Sequence, residues 1–97
     1  MGDILKGRIS IQDDDGIKPC KIEIFLPDGN DDDDDIFCVV RIPELLVGDK
    51  RIFGADKLQA EELAVRFVVQ ILEGRVLLDG HGNEVQAANI GNCLMRS

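Results

Sequence analysis

Apolar and polar residues alternate along the first part of the chain. In residues 4–12, Leu5, Ile9 and Ile11 fall on one side, and Lys6, Arg8, Ser10 and Gln12 on the other. A period of two with one polar face predicts a half-buried antiparallel strand. Asp13-Asp14-Asp15-Gly16 reads as a turn that Pro19 ends. Residues 20–26 alternate again: Cys20, Ile22, Ile24 and Leu26 are expected inward, Lys21 and Glu23 outward. The two segments predict a hairpin. Residues 36–42 are apolar on both sides, which predicts a central strand, closed by Pro43. Gly48-Asp49 predicts a tight turn between a short strand and residues 50–53.

The period then changes to that of a helix. Residues 56–73 predict one helix, with Asp56 as N-cap, Gln59 at the third helical position and Gly74 as the stop. Gln59, Glu62, Arg66, Gln70 and Glu73 form a narrow polar stripe, within which Glu62 and Arg66 are four residues apart. Ala60, Leu63, Ala64, Phe67, Val68 and Ile71 are expected to face the sheet. Leu58, Val65, Val69 and Leu72 widen the apolar arc beyond what one sheet needs. Two readings of that arc stand open: a C-terminal hairpin covers it, or it is a homodimer contact. Residues 75–79 and 84–88 bracket Gly80-His81-Gly82-Asn83 and predict that hairpin. The segment from Ile90 to Ser97 carries no signal beyond Leu94 and Met95.

The expected fold class is α+β: an antiparallel β-meander packed on one long α-helix, with a C-terminal β-hairpin. Its 97 residues predict a single domain, 1–97. The core is expected to be aliphatic, since the chain has 4 Phe and neither Trp nor Tyr.

Charge adds the most unusual feature. Asp31 to Asp35 are consecutive aspartates, and with Asp28 they predict a solvated acidic loop over 28–35. The formal net charge is −8. That opposes nucleic acid and anionic membranes at long range and favours a basic protein partner. Lys6, Arg8, Lys21 and Arg41 on outward strand positions, with Phe25 and Phe37 nearby, raise the question of an RNA-reading sheet. No RNP1-type pattern accompanies them, so no nucleic-acid partner is expected, and edge-protecting charge accounts for them.

Candidate chemistry is sparse. The chain has no Thr, its serines are Ser10 and Ser97, and its one histidine is His81. Cys20 and Cys38 fall on expected inward positions and read as inert core thiols. Only Cys93 is a candidate for an exposed thiol, and His81–Cys93 is the one pair that could carry a thiol-dependent enzyme. Three cysteines without a CxxC pair predict neither a disulfide framework nor a zinc site. Neither Gly16 nor Gly29 fits the glycine position of an EF-hand, because Ile11 or Ile24 would then stand at the first ligand position. With no nucleotide motif either, no metal, cofactor or catalytic residue is assigned. No apolar run is long enough to span a membrane, and no signal-peptide pattern follows Met1, so a cytoplasmic protein is expected.

Gly54-Ala55-Asp56, followed by Gln59-Ala60 and Ala64, resembles a motif of a family of small bacterial domains of unknown function. The resemblance implies a sheet-plus-helix fold with no known activity, and so bears on architecture and not on function. On the charge balance, the expected function is a non-enzymatic protein-binding or adaptor domain, such as an acidic inhibitor of a basic protein. The alternatives are a structural subunit of a larger assembly and the small thiol enzyme.

Overall fold

The structure is a computed structural model and describes residues 4–27 and 36–96. The acidic loop expected at 28–35 lies outside the described residues. The chain folds as α+β, with one helix laid against an antiparallel sheet.

The first hairpin is longer than its sequence signal. Strands β1 (Ile4–Asp13) and β2 (Gly16–Phe25) pair along their whole length, from Ile4 opposite Phe25 to Asp13 opposite Gly16. The Asp13 carboxylate accepts a hydrogen bond from Asp15 N at 2.9 Å, and Gly16 takes a φ of 121°, a region that favours glycine. Pro19 lies inside β2, where it was expected to end the turn. The next strand, β3 (Phe37–Arg41), pairs with β2 only at Glu23, Ile24 and Phe25. Around Pro19, β2 is therefore an edge strand, which tolerates a residue without an N–H.

Strand β4 (Lys50–Phe53) pairs with β3. The short strand expected just before Gly48 is absent. Leu45 N and Leu46 N both donate to Ile42 O, at 3.0 and 2.8 Å, folding the segment into turns. Helix α1 (Lys57–Leu72) carries the chain from β4 at one edge to β5 (Val76–Leu78), on the far side of β1. The predicted C-terminal hairpin forms between β5 and β6 (Glu84–Val85). A short 3-10 helix, Ala87–Cys93, and a two-residue strand β7 (Met95–Arg96) follow. β7 pairs with β1 at Leu5 and Lys6, while β5 pairs with β1 at Ser10, Ile11 and Gln12. Gly7, Arg8 and Ile9 thus have β2 on one side and, among the described residues, no strand on the other.

The core lies between the sheet and α1. Leu5, Ile9, Ile11, Cys20, Ile22, Ile24, Cys38, Val40 and Leu77 form the buried face of the sheet. Every one sits at alternate spacing within its strand, as period two requires. Burying each large aliphatic contributes roughly 1.5–3 kcal/mol.

The helix begins as its sequence indicates. The Asp56 side chain accepts from Gln59 N at 2.8 Å, and Gln59 Oε1 accepts from Ala55 N. Its end is also as expected, with Gly74 at a φ of 82°. The rotation of the helix differs. Ala60, Ala64, Val68 and Leu72 are fully buried, whereas Phe67 and Ile71 only flank the core. The small side chains of Ala60 and Ala64 let the helix approach closely enough that larger residues go to the sides. At Gly54 the approach is closest: a Cβ there would run into the backbone N and Cα of Ala60. At Gly7, a Cβ would lie 2.7 Å from Leu94 Cδ2, so that glycine admits the crossing C-terminal segment.

Candidate recognition face

The helix covers one face of the sheet. The other face is open among the described residues, and strand register determines what it carries. Phe25 stands opposite Val39, Val39 opposite Arg51, and Phe37 opposite Phe53. These residues, with Arg41, share the uncovered side of β2, β3 and β4. The Phe37 and Phe53 rings are 5.4 Å apart, tilted by 47°. Arg41 Cζ lies 5.0 Å from the centroid of Phe25, and Arg51 Cζ lies 5.3 Å from that of Phe37. Such contacts contribute about 0.5–1 kcal/mol each at exposed sites.

Arg41 is fixed from a second direction. Its Nε and Nη2 donate to the Asp49 carboxylate oxygens at 3.0 and 2.9 Å, a bidentate pair. This hydrogen bonding holds the Asp49 carboxyl below its ordinary value. Arg51 has no carboxylate within 4.0 Å among the described residues. Phe53 remains 55% exposed at the edge of the cluster. The doubly apolar pattern of residues 36–42 therefore has two causes. One face, with Cys38 and Val40, is core, and the other, with Phe37 and Val39, is a half-buried platform.

Farther along the same face, β1 and β2 carry Lys6, Arg8 and Lys21. Arg8 stands directly opposite Lys21, and Lys6 opposite Glu23. The hairpin tip adds the exposed Ile17 and Val76, which flank Gln12 on either side.

The residues singled out for thiol chemistry are distributed differently. Cys20 and Cys38 are fully buried, and burial pushes both thiols up to about 11. Cys93 is half-buried in the 3-10 segment. His81 sits in the β5–β6 turn, where its N and Asn83 N donate to Asp79 Oδ1 at 2.8 and 3.0 Å. No hydrogen bond joins His81 to Cys93 among the described residues. Nor does any group of three or more His, Cys, Asp and Glu side chains gather as a metal site among them.

The helix arc is also partly spoken for. Leu72 is fully buried, and Val65 and Val69 pack against the core as half-buried residues. The 3-10 segment lies along that flank, with Val65 Cγ1 only 3.7 Å from where a Cβ on Gly91 would stand. Only Leu58 of the arc is strongly exposed, at 66%. The covering element is thus chiefly the segment after the hairpin, which the sequence left unread. Arg96 Nη2 ties this segment to the helix through Glu61 Oε1 at 2.8 Å.

No family model, curated protein or solved structure matches the chain. No helix among the described residues is long and apolar enough to cross a membrane.

Proposed function

We propose that the chain is a non-enzymatic protein-binding or adaptor domain that makes contact through the open face of its sheet. The observation carrying this reading is the cluster of Phe25, Phe37, Val39 and Phe53 with Arg41 and Arg51 laid over two of the rings. Contiguous apolar surface outside a core marks interaction sites, and aromatic and arginine side chains dominate binding hot spots. Asp49 holds Arg41 of the cluster in place, so that side chain loses less freedom on binding.

Long-range charge adds a preference. The net charge of −8 steers a basic protein toward the acidic parts of the domain rather than toward the arginine-bearing open face, so inhibition of a basic protein is a separate form of this reading. The free thiols of Cys20, Cys38 and Cys93 suit a reducing, cytoplasmic setting. A homodimer is the second reading. The exposed Leu58 supports it, with Val65 and Val69 at the margin.

Affinity capture from native lysate with wild type, Phe53→Ser and Leu58→Ser chains tests the assignment. The expected result is a partner retained by wild type and Leu58→Ser and lost by Phe53→Ser. A partner lost only by Leu58→Ser moves the contact to the helix, and a captured set indifferent to Phe53→Ser refutes the open-face assignment.

A further inference from the structure

A second feature of the open face is independent of the aromatic cluster. Lys6, Gly7, Arg8, Lys21, Cys93 and Met95 line a shallow groove of about 290 Å³. Lys6, Arg8 and Lys21 supply positive charge, and no carboxylate is among the lining residues. None of these cations has a carboxylate within 4.0 Å among the described residues. Two acids border the groove, Glu23 across the strands from Lys6 and Asp79 in an adjoining pocket that Arg8 also lines, and neither lies within 4.0 Å of these cations. Glu44 accepts from the backbone N of Lys21 at 3.3 Å, and Asp79 accepts from its own turn.

In a chain of net charge −8, cations with carboxylates to spare ordinarily pair with them. Here Arg8 and Lys21 are instead set directly opposite each other, an arrangement that destabilises a sheet. The groove also coincides with the break in the sheet at Gly7–Ile9, between β5 and β7.

We infer that the groove is a binding site for a small, multiply charged oxyanion, of which phosphate-bearing compounds are the fitting class. A dianion or higher relieves the repulsion between Arg8 and Lys21, which a single carboxylate charge would do less completely. The guanidinium of Arg8 offers paired donors, and the ammonium groups act as point charges beside it. The ligand is small because charge limits its size. Beyond the groove lie Glu23, Asp79 and the Asp13–Asp15 tip, so a long polyanion would meet repulsion on leaving the cations. The Phe25 and Phe37 rings are in addition already faced by arginines, leaving only the edge residue Phe53 uncovered as a platform for bases.

Titration of the isotope-labelled chain with inorganic pyrophosphate at low ionic strength, followed by amide chemical shifts, tests the inference. Saturable one-site binding is expected, with shifts confined to residues 6–8, 21 and 93–95. Arg8→Gln should weaken it by at least about tenfold, the loss of one charge-assisted contact. Lys57→Gln, at the distant start of the helix, should leave it unchanged. Pyrophosphate should raise the melting temperature of wild type and not of Arg8→Gln, while sodium chloride at equal ionic strength should not. Without ligand, Arg8→Gln should melt no lower than wild type, because it removes a like-charge pair. Non-saturable shifts spread over Lys57 and Arg66, or equal binding by Arg8→Gln, overturn the site. Single-stranded oligothymidine binding more than about tenfold tighter than pyrophosphate overturns the small-ligand assignment in favour of nucleic acid. Because Phe53→Ser leaves the groove intact, it should bind pyrophosphate normally, which separates this site from the proposed protein contact.

Discussion

The two faces of the sheet are built from the same strands, residue by alternate residue, and they do opposite things. On the covered face, Ile22, Ile24, Cys38 and Val40 have no exposed surface and contact α1 or one another. On the open face, Phe25, Phe37 and Val39 are half-buried, Phe53 is exposed, and arginines lie across the rings. The covered face holds the fold together. The open face stabilises little and presents much. Apolar character alone did not separate them in sequence, since both faces of β3 are apolar. What separates them is the single helix, which can shield one side only.

Substitutions sharpen this contrast by their unequal costs. The largest effect is expected at Gly54, where the helix backbone meets the strand end. Gly54→Val places its side chain against Ala60 backbone, which cannot yield as a flexible side chain would. Loss of cooperative unfolding, or destabilisation beyond about 4 kcal/mol, is expected in urea titrations. Ile24→Ala, in the middle of the covered face, should cost roughly 2–5 kcal/mol by the same measurement. Asp56→Ala leaves the helix in place but removes the side chain that caps it, with an expected loss of about 1 kcal/mol. Phe53→Ala, on the open face, should cost below about 1 kcal/mol. Equal losses for Ile24→Ala and Phe53→Ala would erase the distinction between the faces.

Much of the covered face was legible because period two and period 3.6 are backbone geometry. Leu5, Ile9 and Ile11, then Cys20, Ile22 and Ile24, all point as their spacing requires. The helix start was legible because Asp56 and Gln59 carry their own local hydrogen bonds. The rotation of the helix was not, because it depends on a tertiary fact: Ala60 and Ala64 sit closest to the sheet and turn Phe67 aside. Nor was the C-terminal cover. Ile90 is fully buried, yet one isoleucine in a short 3-10 segment leaves no periodic trace. The candidate face was half legible. Its cations and phenylalanines stood out, but the register that sets Arg41 over Phe25 and Arg51 over Phe37 is a property of paired strands.

The division of the sheet is tested most directly by thiol labelling of the native chain with a water-soluble disulfide reagent. Cys20 and Cys38 lie on the covered face with thiols raised to about 11, and Phe53→Cys would place a thiol on the open one. Fast labelling is expected at Cys93 and at residue 53 of that variant, with Cys20 and Cys38 reacting only as the chain unfolds. Rapid reaction of Cys20 or Cys38 without denaturant, or protection of a cysteine at position 53, would contradict a sheet with one buried and one exposed face.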